Sequence, residues 1–171
     1  ELDVGGWRET APREVRDGVM TMTTEKILIV DDAAANIDLL AAVLEPHGYE
    51  ILAASNAEQA LRIAAKTLPD LILLDVILPG MDGFSVCRAL KDKETTRAIP
   101  VLFVTAKDET ECLLRGFRCG AVDYISKPVQ SGEVLVRVET HLQIARLTRE
   151  ITARNRELET EIARRQEAEA A

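Results

Sequence analysis

From Lys26 onward the chain alternates short apolar runs with segments of helical period, and this alternation restricts its fold more than any other feature. The runs are Ile27–Val30, Ile51–Ala54, Leu71–Leu74, Val101–Val104 and Tyr124–Ile125. Between them, Asn36–Leu44, Ala57–Thr67, Phe84–Lys91 and Thr110–Arg118 space their apolar residues three and four apart. Asn56 with Gln59 supplies an N-cap signal at the start of the second helical segment. Parallel strands joined by right-handed helical crossovers have both faces covered, so the expected fold is α/β, a doubly wound five-stranded parallel sheet. In such sheets ligands bind beyond the carboxyl ends of the strands, and functional residues are to be sought there.

Composition narrows the function classes. The chain has 171 residues, 47% of them apolar, enough for one domain with a full core and an appendage. Its formal net charge of −8 opposes direct binding to nucleic acid or to an anionic membrane surface, since both need a concentrated positive field. No apolar run reaches the roughly 20 residues of a membrane span, and the first ten residues lack the basic start and apolar stretch of a signal peptide, so a cytoplasmic location is expected. Cys87, Cys112 and Cys119 form no C-x-x-C pair and have only two histidines beside them, too few ligands for a zinc site. They read as reduced thiols, with Cys112 and Cys119 on one helix face. Residues 1–24 mix Gly, Pro and charge without period and read as a flexible arm, in which Met20 and Met22 each offer a start residue.

The ends of the proposed strands carry the chemistry. Asp31 and Asp32 follow the first, Asp75 the third, Thr105 the fourth, and Ser126, Lys127 and Pro128 the fifth. Three carboxylates gathered at one sheet edge repel one another and raise each other's pKa unless a hard cation neutralises them. Mg²⁺, which takes one or two carboxylates and keeps its other positions for water or phosphate oxygens, suits the set. A carboxylate can also attack phosphorus to give an aspartyl phosphate, a reaction governed by charge neutralisation, for which Lys127 offers a cation and Thr105 a hydroxyl. Singly, a strand-end Asp is commonly a helix cap and a strand-end Thr reflects β propensity; only the joint occurrence points to phosphorus chemistry.

The stretches ILIVDD (Ile27–Asp32), LILLDVILPGMDG (Leu71–Gly83), VLFVTA (Val101–Ala106) and GAVDYISKP (Gly120–Pro128) together resemble the receiver domain of bacterial two-component response regulators. The resemblance spans residues 25–143 and implies the flavodoxin-like version of the fold. It implies that Asp75 accepts a phosphoryl group from a histidine kinase or histidine phosphotransfer protein in a Mg²⁺-dependent reaction. It further implies that Asp32, Asp75 and the main-chain carbonyl of Ile77 ligate Mg²⁺, with Asp31 acting mainly through a metal-bound water. By the same likeness Lys127 pairs with the phosphoryl group, the Lys127–Pro128 bond is cis, and Thr105 and Tyr124 form a switch pair. Ile77 and Lys107 would tune the phosphoryl lifetime, the bulk of Ile77 hindering an attacking water. The chain would then be a switch with only self-directed phosphotransfer and dephosphorylation, not a metabolic enzyme. One rival is a Mg²⁺-dependent phosphohydrolase of the haloacid dehalogenase type. Such enzymes want an acid two residues after the nucleophile, where this chain has Ile77. The other rival is a phosphorylation-independent dimeric scaffold.

After Ser131 the sequence is helical to its end, with seven Arg and eight Glu and no Pro. Its apolar stripe runs Ile144, Leu147, Ile151, Asn155, Leu158, Ile162, a heptad seam interrupted by a stutter where two four-residue steps meet. Such a stripe cannot bury itself, so residues 144–171 are expected to extend the last receiver helix into a coiled coil. A parallel homodimer is the simplest partner, with Asn155 setting register. The alternative is a helix folded back on its own domain. The end at Ala171 shows no stop signal, so an output module beyond it is expected.

Overall fold

The computed structural model describes residues 13–16, 19–22, 24–106 and 110–171. Within the segment expected as a flexible arm, β1 (Arg13–Arg16) and β2 (Val19–Met22) pair antiparallel as a two-stranded ribbon, with Arg13 opposite Met22; residues 1–12, 17, 18 and 23 lie outside the described residues.

The main sheet is five-stranded and wholly parallel: β3 (Lys26–Val30), β4 (Glu50–Ala54), β5 (Leu71–Leu74), β6 (Val101–Thr105) and β7 (Asp123–Ser126). Their order is β4-β3-β5-β6-β7. The chain therefore starts in the interior of the sheet, moves to one edge, and returns across β3, so the order reverses between β3 and β5. That reversal opens the crevice in which doubly wound folds place their ligands.

Residue alternation explains why the strands are apolar throughout. Leu28 and Val30 of β3, Ile72 and Leu74 of β5, and Val101 and Phe103 of β6 enter one core layer. Their neighbours Ile27, Ile29, Leu71, Leu73, Leu102 and Val104 enter the other. With period two and both faces covered, the interiors of these strands are apolar, and polar residues stand only at their ends, Lys26 in β3 and Thr105 in β6. The first layer is closed by α2 (Ala57–Thr67) and α3 (Gly83–Asp92), and the second by α1 (Ala34–Leu44) and α5 (Ser131–Ala170). The remaining helix, α4 (Thr110–Arg118), lies over β6, where Gly116 meets the Phe103 ring.

Local signals set the helix ends. Asn56 caps α2 by accepting from the Gln59 amide at 2.8 Å, and the Gln59 side chain accepts in return from the Ser55 amide at 2.9 Å. Asp82 caps α3 through the Ser85 amide at 2.8 Å. Cys119 is buried one residue past the end of α4, where its amide still donates to the Arg115 carbonyl at 3.1 Å. The side chain of Cys112 is outside the described residues.

Helix α5 is a single helix of 40 residues. Val134, Val138 and Leu142 are fully buried against the sheet, and beyond Leu142 none of its residues is buried. At 3.6 residues per turn this stripe and that of Ile144, Leu147 and Ile151 lie about 150° apart on the helix. Ile144 borders a cleft beside Pro100 and Val122, and from Leu147 on the stripe is exposed along one unbroken helix, so the helix does not fold back on its own domain. Ile144, Leu147, Ile151, Leu158 and Ile162 are all exposed, as is Asn155.

Candidate functional site

A parallel sheet delivers all its strand ends to one edge, and the strand-end acids meet there. Asp31 follows β3 and Asp75 follows β5, on either side of the reversal in strand order. Both are buried, while Asp32 faces solvent, and one carboxylate oxygen from each of the three lies within 4.8 Å of the others. Lys127, brought from the end of β7, donates to Asp75 Oδ2 at 2.8 Å and to Asp31 Oδ2 at 3.0 Å, closing sequence gaps of 52 and 96 residues. The Lys127 amide donates to the Thr105 carbonyl at 2.9 Å, and the Lys127–Pro128 bond is cis.

The two buried acids are held unequally. Burial works against the Asp31 charge, but the Ala33 amide, Lys127 and the Asn36 side chain together hold its carboxyl below the ordinary range. Burial pushes the Asp75 carboxyl above that range despite Lys127 and the Ile77 amide, which donates to Asp75 Oδ1 at 3.1 Å; the Asp31 charge adds to the rise. Burial disfavours the Lys127 ammonium, yet its bonds to Asp75 and Asp31 raise its pKa. The result is one cation shared by two carboxylates, with the exposed Asp32 at its mouth. Two negative charges balanced by one positive leave the site short of cation, and three hard oxygen donors within 4.8 Å suit Mg²⁺ better than a soft metal.

Thr105 is 3% exposed at the end of β6. It and the half-buried Tyr124 line the same hollow of about 10 Å³, together with Phe84, Phe103, Gly116 and Phe117. Room for one water at most remains there, so a ring could enter only if Thr105 or α4 gave way. Tyr124 lies against α5, with the Arg137 guanidinium carbon 6.0 Å from its ring centroid, and Arg137 in turn holds Asp123 at 2.9 Å. Ile77 is 58% exposed beside Asp75; Lys107 lies outside the described residues.

Three contributors were not legible in the spacing. Asn36 donates to Asp31 Oδ2 at 3.1 Å from the first turn of α1. Gly83 opens α3 so close to the loop after β5 that an added Cβ would fall 2.2 Å from the Asp75 carbonyl oxygen. Arg115 lies 4.5 Å over the Phe84 ring and 3.7 Å from Asp82, tying α4 to the cap of α3. The position of Asn36, five residues past Asp31 on the next helix, was the single advance signal among them.

Comparison with known proteins agrees with this arrangement. The family model described as the response regulator receiver domain matches residues 27–139. The chain is 48% identical over 115 residues to the response regulator PleD of Caulobacter vibrioides, covering 67% of this chain and 25% of that protein. It is 39% identical over 117 residues to protein PilH of Pseudomonas aeruginosa, covering 68% of this chain and 97% of PilH. Among solved structures, a putative response regulator from Chloroflexus aurantiacus superposes with a TM-score of 0.69 at 36% identity, over 71% of this chain and 99% of that one. The chain thus spans a quarter of PleD but nearly all of PilH.

Proposed function

The chain belongs to the response regulator receiver domain family, and we propose that Asp75 is its phosphoacceptor within the pocket formed by Asp31, Asp32, Thr105 and Lys127. The observation that carries this reading is the Lys127 ammonium bridging Asp75 and Asp31 at the point where strand order reverses. A cation there neutralises charge where transferring phosphoryl oxygens would gather, and it holds the Asp75 carboxylate in place.

In the proposed reaction an Asp75 carboxylate oxygen attacks the phosphorus of a phosphohistidine on a histidine kinase or phosphotransfer protein. The new P–O bond forms as the P–N bond breaks, and its electron pair leaves with the imidazole, which takes up a proton. Asp31, Asp32 and Asp75, with the Ile77 carbonyl, would hold Mg²⁺, which supplies the positive charge that makes transfer between anions feasible. Lys127 would move from a carboxylate of Asp75 to the new phosphoryl oxygens, and the Thr105 hydroxyl would turn toward them. The hollow shared with Tyr124 would then enlarge and press on Gly116 and Phe117 of α4. This is a shift of population between two packings. The chain acts as a switch with self-directed chemistry. Its response would reach an output module through a parallel homodimer of α5, whose apolar residues Ile144, Leu147, Ile151, Leu158 and Ile162 are exposed.

The test is incubation with Mg²⁺ and the small phosphodonor phosphoramidate, followed by intact mass. A gain of one phosphoryl group that Asp75→Asn removes is the expected result. A gain that persists in Asp75→Asn, or turnover of free phosphate esters, would overturn it. Sedimentation of wild type against Ile151→Glu tests the dimer, which the charged variant should dissociate.

A further inference from the structure

The two central strands carry acids at both ends. Glu25 precedes β3 and Asp31 and Asp32 follow it, while Asp70 precedes β5 and Asp75 follows it. The acids at the starting ends lie opposite the phosphoacceptor edge, where α5 leaves the domain. Arg146 donates to Glu25 Oε1 at 2.5 Å across 121 residues of sequence, and Arg149 approaches Asp70 Oδ1 at 3.9 Å. The two acidic residues are also joined through the backbone between them. The Lys26 amide donates to Asp70 Oδ2 at 2.8 Å, and the Asp70 amide donates to the Lys26 carbonyl at 2.8 Å.

Apolar packing does not explain how the helix is held here. Burial along α5 stops at Leu142. Past it, a cleft of about 490 Å³ lies between the helix and the sheet edge, lined by Pro100, Val122, Ile144 and Thr148 among others, with Asp70 and Arg149 also on its wall. The helix therefore crosses a gap at which Arg146 holds Glu25 and Arg149 approaches Asp70. One of them is not optimised for stability, since Glu25 Oε2 is buried without a hydrogen-bond partner among the described residues. A buried carboxylate with one oxygen unsatisfied costs free energy, which suits a contact kept for geometry.

We infer that Glu25 and Asp70 form a seat that sets the exit direction of α5 by holding Arg146 and Arg149. The seat ties the signalling helix to the same two strands whose far ends carry Asp31, Asp32 and Asp75. A five-residue strand is about 17 Å long and stiff along its axis, so a displacement at the acid pocket is transmitted to the seat with little loss. Glu25, Asp70, Arg146 and Arg149 are positioning residues. The coupling half of this inference rests on Asp75 being the phosphoacceptor; the seat itself does not.

The experiment uses the whole chain, spin-labelled through genetically encoded ketone side chains at the exposed Glu58 and Gln166 so that the native cysteines stay intact, and diluted with unlabelled chain. Pulsed electron resonance then reads the distance between α2 and the end of α5. Wild type should give one narrow distance, and the double variant Glu25→Gln, Asp70→Asn should lose it while keeping its circular dichroism. The amides preserve the acceptor for Lys26 and remove only charge. The swap Glu25→Arg with Arg146→Glu should restore the narrow distance. An unchanged distribution in the double variant, or a swap that folds and fails to restore it, overturns the seat. With Mg²⁺ and phosphoramidate, wild type should shift its distance and the double variant should not. A wild-type distance that stays put while intact mass records phosphorylation overturns the coupling; absence of the mass gain counts instead against Asp75 as phosphoacceptor.

Discussion

Replacing Gly83 by Ala tests whether the close approach of α3 to the Asp75 loop is required. Gly83 is the first residue of α3, and its amide donates to the Val76 carbonyl at 2.8 Å. A Cβ there would sit 2.2 Å from the Asp75 carbonyl oxygen and 2.8 Å from Val76 Cα. Contacts of that kind are not seen below 3.0 Å, so the loop must retreat by at least the difference from 2.2 Å, 0.8 Å. Both obstacles are backbone and cannot rotate aside. Overpacking of this kind costs about 1–3 kcal/mol, from which the better helix propensity of Ala returns about 0.5–1 kcal/mol. A net loss of about 1 kcal/mol corresponds to a fall in melting temperature of roughly 2–4 °C for a chain of this size. Because the carbonyl that moves belongs to Asp75, phosphorylation should suffer beyond the stability loss. A misplacement approaching 1 Å costs up to about a hundredfold in rate. Thermal unfolding by circular dichroism and the rate of mass gain with phosphoramidate measure the two effects. Gly132→Ala is the control, with nothing within 4 Å of its added methyl, and should be neutral or stabilising. A Gly83→Ala chain within about 0.5 kcal/mol of wild type and phosphorylated at the same rate would refute the reasoning.

Asp123 opposes burial with bonds from His141, the Tyr124 amide and Arg137, which together hold its carboxyl below the ordinary value. A depressed folded pKa adds stability above the unfolded value near 3.9 that is lost as pH falls through the folded value. Asp123→Asn should therefore cost about 1–2 kcal/mol at neutral pH and shrink the difference from wild type below about pH 4, read by denaturant titration across pH. Burial pushes the Cys87 thiol up to about 11, so iodoacetamide at mild alkaline pH should leave Cys87 unmodified in the folded chain and modify it in urea, as peptide mapping would show. Ile77, 58% exposed beside Asp75, should shield the phosphoryl group, giving slow self-dephosphorylation that Ile77→Asn accelerates; a half-life of seconds in wild type would contradict this. The exposed pairs Arg154–Glu157 and Arg165–Glu161 on α5 should contribute no more than about 0.5 kcal/mol each, and charge removal there should leave melting unchanged within error.

The sequence by itself determined the sheet and the edge at which its acids gather. Runs such as Ile27–Val30 and Leu71–Leu74 can bury both faces only in a parallel sheet under helices, and parallel strands place Asp31, Asp75, Thr105 and Lys127 at one edge without further information. Periodicity also marked the apolar stripe on α5, because the spacing of residues along one helix is a local property. Tertiary structure alone decided contacts that no spacing encodes. These include the sharing of one Lys127 ammonium between Asp31 and Asp75, the clash space at Gly83, the pairing of β1 with β2, and the ion pairs of Glu25 and Asp70 with α5. The reason is that each is a distance fixed by how elements pack, and the Lys127 and α5 contacts join residues 52 or more apart in the chain. Hydrophobic period specifies which face of an element is buried and says nothing of which charged group waits across the gap.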